Sequence, residues 1–459
     1  MAIERPATVP GIAIHSLAVF RILFGMLMAA AMVRFLAHGW VDELFLKPGY
    51  HFPYPGLEWI RPWPAVWMHV HVMLVAVCAV GMALGFRYRL CAVLFFAGFT
   101  YLELIDRTAY LNHYYLVSLV SGLLVFMPAH WAWSVDARRR SGLRVETIPA
   151  WTVGLLRFQF AIVYVFAGIA KLNGDWLLAA QPLRIWLAAR SDLPLVGPWL
   201  EKPWVAMAAA WTGAVYDLTI PFLLMMRRTR SCAFGAVIAF HVATGVLFPS
   251  IGMFPWIMIA GSTLFFPPDW PMRVWKRSGP VVQAVVPPMP RWGRWLIGVY
   301  LAWQIAVPMR GLFMDGPSAW SGNGFNWAWK VMIVEKAGSV SFIARDPFDG
   351  RRWQIDVRDY LTPRQVTLMA QDPHLVRDFA RFLGGELRRL HGREVEVHAE
   401  AYASLNGRPS QPIIDPAVNL AGEPVEHWIV PMLPDTRAQS TGSIVSQWVR
   451  SWLSSSERR

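Results

Sequence analysis

Charge is what this chain has least of. Only 16% of its 459 residues are charged, 55% are hydrophobic, and the mean hydropathy is +0.35. That balance excludes a soluble enzyme and indicates a polytopic membrane protein. Cysteine is also scarce. Cys78, Cys91 and Cys232 are the only three, all in or beside apolar stretches, so neither a disulfide framework nor a thiolate metal cluster is readable. The chain has no Walker loop, no dinucleotide-binding glycine fingerprint, no HExxH and no CxxC. His113 and His241 lack local ligand spacing, so no metal site is expected. No internal repeat is visible, which argues against a transporter built from paired halves. The formal charge of +13 raises the question of nucleic acid. Its arginines cluster between apolar stretches, however, which fits anionic lipid and topology instead.

Apolar runs are what the chain does have. Spans are expected near 12–36, 66–86, 90–107, 112–128, 151–171, 204–226, 231–248, 251–267 and 292–312, about nine in all. The first reads as a retained span rather than a cleaved signal. Basic residues follow the even-numbered spans: Arg87 and Arg89; Arg138, Arg139, Arg140 and Arg144; Arg227, Arg228 and Arg230; Arg273, Lys276, Arg277, Arg291 and Arg294. The positive-inside rule then puts the N-terminus in the cytoplasm and the C-terminal region outside an inner or plasma membrane. Tryptophans in the outer segment 172–203 suggest interfacial or re-entrant helices, and 128–150 reads as a basic surface loop.

After about residue 325 the pattern changes. Runs SVSFIA and RWQIDV around Asp349-Gly350 read as a hairpin. Thr362 to Leu390 is helical in period with a Gly-Gly pause at 384–385. Glu394 to Tyr402 reads as a strand and Asn406-Gly407 as a turn. The expected fold is mainly α: a transmembrane helical bundle over 1–324, then a small extracytoplasmic α+β, β-rich domain over 325–435. A polar tail follows over 436–459, in which Val445 to Leu453 could form a short amphipathic helix.

The stretch Arg157 to Asp175, RFQFAIVYVFAGIAKLNGD, organises the chain. Helical spacing puts Arg157, Tyr164, Gly168 and Lys171 along one stripe. Gly168 would let a helix or a flat ligand come close. Lys171 is a functional candidate as an ionisable group near the end of a span, or a lysine that snorkels to the surface. His241 lies eleven residues beyond Arg230, roughly 16 Å along a helix and so about mid-membrane or slightly outward. Each polar residue has a plain structural reading too. Asn112 and His113 could cap a helix, and His241 could bond a backbone carbonyl. Asp217 could pair with an arginine or tyrosine, and Glu103 and Asp106 could be interfacial charges. Together, however, a lysine, two histidines and an amide converge on the outer half of the bilayer, where they are costly unless they share a polar pocket.

Six segments of the membrane region carry a resemblance: LNHYYL (111–116), WSVDA (133–137), LRFQFAIVYVFAGIAKLNGDW (156–176), DLTIPFLL (217–224), FHVATGVLFPSIGMF (240–254) and PPDWP (267–271). FNWAWKVM (325–332) and SLNGRPSQPIIDP (404–416) extend it to the C-terminal region. Together they resemble the vitamin K-dependent γ-glutamyl carboxylase family, within the horizontally transferred transmembrane (HTTM) group, in a bacterial-type form. Ala170 stands where animal members have a second lysine, and the tail is shorter than theirs. The resemblance implies a carbon–carbon lyase with an epoxidase half-reaction. Lys171 would deprotonate vitamin K hydroquinone, or menaquinol. Oxygen would convert that anion into a strong base, which removes a γ-proton from a peptide glutamate, and carbon dioxide would then add. His113 and His241 would be catalytic with Lys171. Asn112, Tyr164, Gly168, Asp217, Phe325 and Trp329 would lie beside the cofactor. The partners implied are the bilayer and a Glu-containing peptide or protein, with no nucleic acid. The chemistry asks for an amine held uncharged, since desolvation lowers a buried lysine's pKa by up to about 3–5 units. The other readings are a quinol epoxidase without a carboxylation partner and a non-catalytic quinone- or lipid-binding membrane protein.

Overall fold

The computed structural model describes residues 9–140, 142, 145–275, 285–286, 288–422 and 427–435. Arg144, Lys276, Arg277 and the tail 436–459 with its possible amphipathic helix lie outside the described residues. The chain forms two compact units. One is Met1–Phe313 with Gly324–Ile333, and the other is Met314–Asn323 with Val334–Arg459. Phe325 and Trp329 therefore belong to the helical unit.

All nine apolar runs are helical. They are α1 (His15–Ala37), α2 (Val66–Leu84), α3 (Tyr88–Leu104), α4 (Asn112–Phe126), α5 (Ala150–Ala170), α6 (Pro203–Met225), α7 (Arg230–Leu247), α8 (Phe254–Ser262) and α9 (Arg291–Met309). By length and apolarity six of these qualify as spans among the described residues: α1, α2, α5, α6, α7 and α9. Helices α3, α4 and α8 have 17, 15 and 9 residues, short of the roughly 20 that a bilayer requires. Apolar runs counted alone overlook the turns that end them. The run at 251–267 is a 3-10 turn, then α8, then a second 3-10 turn at Thr263–Phe265.

Small residues set the packing of the bundle. A methyl group on Gly25 of α1 would lie 2.6 Å from the Ala83 nitrogen of α2, so those backbones nearly touch. Phe20, Phe24, Phe95 and Phe160 meet at tilted or edge-on angles in the core beside α1, the arrangement that aromatic quadrupoles favour. The expected re-entrant segment holds three short helices, Gly174–Leu177, Leu183–Ala188 and Gly197–Leu200. A small sheet has no counterpart in the sequence pattern. Strand β1 (Val9–Ala13) pairs antiparallel with β2 (Thr147–Pro149) and with β3 (Val285–Val286). Strands this short leave no readable alternation.

In the second unit β4 (Lys336–Arg345), β5 (Arg352–Ile355), β6 (Glu396–Leu405) and β7 (Gln411–Pro412) form an antiparallel sheet in the order β5-β4-β6-β7. The hairpin turn contains Asp349-Gly350 as expected, and Asn406 and Gly407 both take positive φ, 50° and 78°. The Gly-Gly pause is not a break. Helix α10 (Pro363–Met369) ends, and α11 (Pro373–His391) runs through Gly384 and Gly385. Its buried stripe of Leu375, Val376, Phe379, Leu383 and Leu387 outweighs the glycine cost of about 1 kcal/mol each. The break falls at Asp372-Pro373 instead, where Asp372 accepts from the His374 backbone N–H and proline opens the helix. Lys336 is buried in this unit, and its ammonium donates to the Trp320 carbonyl at 2.6 Å. Burial pulls its pKa down to about 8, and Asp372 pulls it partly back.

Candidate functional site

Lys171 caps the C-terminus of α5. The chain then turns at once, because Asn173 accepts from the Trp176 backbone N–H and starts the next short helix. That turn brings the Trp176 ring to 5.1 Å from Lys171 Nζ. Trp176 is fixed in turn by its indole N–H, which donates to the Ala210 carbonyl of α6 at 2.7 Å. Gly168, one turn before the lysine, lets α6 in. A methyl there would lie 2.7 Å from Leu218 Cγ and 2.9 Å from the Leu218 nitrogen. The adjoining residue on α6 is Asp217.

Lys171 Nζ donates to Asp217 Oδ2 at 2.7 Å, and the two residues are each 5% exposed. The ammonium also reaches the carbonyls of Ala167 at 3.3 Å and Val331 at 3.4 Å. The snorkelling reading is therefore wrong, since this lysine points into the protein. Asp217 pairs with Lys171, 46 positions away, rather than with an arginine or tyrosine. Paired in this way, the two buried groups offset each other's charge.

The pair lines a cavity of about 590 Å³, walled largely by apolar side chains from α5, α6, α7, the short helices after α5, and Val331 and Met332. His241 of α7 lines it too and is 2% exposed. Its Nε2 shares a 2.8 Å hydrogen bond with the Tyr164 hydroxyl, not with a backbone carbonyl, and its Nδ1 has no partner among the described residues. Lys171, Tyr164, Asp217 and His241 thus meet in one hollow. Arg157, on the same sequence stripe, does not join them and holds the carbonyls of Leu264 and Phe266 instead.

The other candidates stand one layer away. His113 is not a wall residue. Phe254 separates it from the cavity chemistry, with ring centroids 6.2 Å from His113 and 5.9 Å from His241. Asn112 does not cap α4, because Leu111 holds that position and no side chain caps it. The Asn112 amide instead donates to the Lys330 carbonyl at 3.3 Å and accepts from the Tyr110 hydroxyl. Asn112 and Lys171 therefore grip neighbouring peptides of one segment, Phe325–Met332. That segment is strained, with Trp327, Trp329 and Met332 at φ of 59°, 54° and 54°, where bulky residues seldom sit. Trp329 is fully buried and stacks on Tyr115 at 5.0 Å. Phe325 lies 5.7 Å from Lys330 Nζ, whose pKa burial and nearby Arg310 lower to about 8. Neither aromatic lines the cavity. Glu103 and Asp106 are buried, 6% and 1% exposed, and are not interfacial charges. Asp106 accepts from the Thr108 backbone N–H, and Glu103 accepts from Ser118. The strained segment is what sequence reasoning chiefly misses. It has no glycine or asparagine at its left-handed positions, so nothing in the residue types announces it.

No metal-binding group of three or more ligands occurs among the described residues. Comparison with known proteins gives two matches that follow one another along the chain. A family model described as the HTTM domain matches residues 11–270, and one described as the vitamin K-dependent gamma-carboxylase lumenal domain matches residues 290–434. No solved structure matches. An HTTM domain carrying a buried lysine–aspartate pair, followed by that carboxylase's own C-terminal domain, leaves one conclusion: the chain belongs to the vitamin K-dependent γ-carboxylase family.

Proposed function

We propose that this membrane protein is a vitamin K hydroquinone-dependent γ-glutamyl carboxylase. It couples quinol epoxidation by oxygen to carboxylation of peptide glutamate with carbon dioxide, and Lys171 is the base that starts the sequence. The observation that carries this reading is the 2.7 Å Lys171–Asp217 pair inside an apolar cavity that also holds His241. A flat apolar diol suits that hollow. The walls offer aromatic and aliphatic contact, and the unpaired buried Nδ1 of His241 is a hydrogen-bonding atom that wants a partner. Bound there, the hydroquinone supplies with oxygen a base stronger than any side chain.

The chain's own residues do the rest. Lys171 Nζ passes its proton to the Asp217 carboxylate and, as a free amine, accepts one from a quinol hydroxyl, so the quinolate that forms faces an ammonium. The Ala167 and Val331 carbonyls fix the direction of Nζ. Tyr164 sets the tautomer of His241. When its hydroxyl donates to Nε2, Nδ1 carries the proton and donates to a ligand oxygen. The apolar walls exclude water that would quench a strong base. Asn112 supports the site through the Lys330 peptide, and His113 acts through Phe254.

The test is an assay of membranes supplied with reduced vitamin K, labelled bicarbonate and a Glu-rich peptide. Label should enter the peptide and epoxide should appear, and Lys171→Ala should abolish both. Quinone binding without turnover, unchanged by that substitution, would return the protein to the non-catalytic class.

A further inference from the structure

The helical unit holds a second apolar cavity that the proposed reaction does not use. It measures about 630 Å³ and is walled by α3, α4, Tyr300 of α9, Tyr54 and Trp327. Exposed Val93, Phe96 and Phe126 lie along it, so its side opening faces the lipid. From Val93 to Glu103 it follows ten residues of α3, about 15 Å at 1.5 Å per residue.

Its polar groups gather toward one end. Ser118 donates to Glu103 Oε2 at 2.7 Å, and Thr100 donates to Ser118 at 3.1 Å. Tyr54 is 4% exposed, and its buried hydroxyl has no partner among the described residues. A carboxyl and an unsatisfied phenol beside hydrocarbon are costly unless a ligand completes them. The same end is aromatic, with the Tyr54 and Trp327 rings stacked at 5.6 Å and 18°. Away from it the walls are apolar without polar groups: Leu119, Leu123 and Val125, with Phe96 and Phe126.

We infer that this groove is a second binding site, for a membrane-borne lipid with a flat aromatic head bearing hydroxyls and an apolar tail, namely a prenylated hydroquinone. The head stacks beside Trp327 and Tyr54, and its hydroxyl donates to Glu103. The tail runs down α3 and α4. Trp327 also belongs to the strained segment whose Val331 and Met332 line the lysine cavity. One short stretch of backbone therefore touches both hollows.

The test uses the full chain in lipid nanodiscs, loaded anaerobically with a short-tailed menaquinone-type hydroquinone. Native mass spectrometry counts bound ligand. Wild type should hold two per chain. Leu119→Trp fills the groove and should hold one, and the retained ligand shows that the variant is folded. Glu103→Gln should weaken one site about tenfold, the scale of one hydrogen bond to a carboxylate. Lys171→Ala should keep the groove ligand. A single ligand in wild type, unchanged by both groove substitutions, overturns the proposal. So does a phospholipid in the groove that excess hydroquinone fails to displace. Two bound ligands in a protein that never carboxylates would refute the catalytic reading and leave this one standing.

Discussion

At the scale of single residues, the proposed chemistry rests on a proton shared between Lys171 and Asp217. Changing Asp217 to Asn removes the carboxylate that takes up the lysine's proton but keeps a side chain of similar shape. Carboxylation and epoxidation should then fall together by roughly 10²-fold, the lower end of what a positioned acid–base group contributes. Rates of both half-reactions in the Asp217→Asn protein measure this, and undiminished turnover would refute the shared-proton account. Lys171, His241 and Asp217 are legible in the sequence, because ionisable groups at similar depth in apolar runs are few. Their partners are not legible. Lys171 meets Asp217 and Tyr164 meets His241 across 46 and 77 positions, and only helix packing decides such meetings. His113 shows the limit of reasoning from depth: it lies near the cavity but behind Phe254.

At the scale of elements, the site exists because α5 and α6 approach within touching distance at Gly168. Gly168→Ala places a methyl 2.7 Å from Leu218 Cγ and 2.9 Å from a backbone nitrogen that no rotamer change can move. The helices must part, at a cost of about 1–3 kcal/mol for such overpacking. Lys171 follows one turn later and Asp217 adjoins Leu218, so the 2.7 Å contact should open and turnover should drop with little change in quinol affinity. Gly154, on the same helix, has nothing within 4 Å of the place a methyl would take, and Gly154→Ala should be neutral or slightly stabilising. Thermal unfolding and turnover of the two variants check this pair, and equal behaviour would remove the helix contact from the account. Apolar periodicity is enough to find the helices, and alternation with turn residues is enough to find β4, β5 and β6. Neither signal reaches β1, β2 and β3, which are too short to alternate. Glycine pairs also mislead at Gly384, where the missing side chain serves packing: a methyl there would lie 2.7 Å from Ala421 Cβ.

At the scale of the whole molecule, the small sheet bears on which side of the membrane each end of the helical unit faces. Strands β1, β2 and β3 immediately precede α1, α5 and α9, and their pairing ties the starts of those three helices together. An even number of crossings must then separate α1 from α5, and α5 from α9. The short α8 decides the second interval. It begins at Phe254, beside His241, and the turn after it ends on carbonyls held by Arg157, near the start of α5. It therefore traverses the bundle, although it is too short to span lipid unaided. Such a segment is tolerated because its residues are buried in protein. On that count the total would be odd whether or not the α3–α4 hairpin crosses fully, and we expect α9 to deliver the chain to the face opposite the start of α1. By the positive-inside rule, Arg138, Arg139 and Arg140 on the α1 side lead us to expect that face in the cytoplasm. In a variant with Cys78, Cys91 and Cys232 replaced, Ser339→Cys on exposed β4 should react with a membrane-impermeant maleimide on intact cells. Arg138→Cys should react only after the cells are opened. Labelling of both cysteines from the same side would require α8 to turn back on itself, and the reverse pattern would put the second unit on the cytoplasmic side.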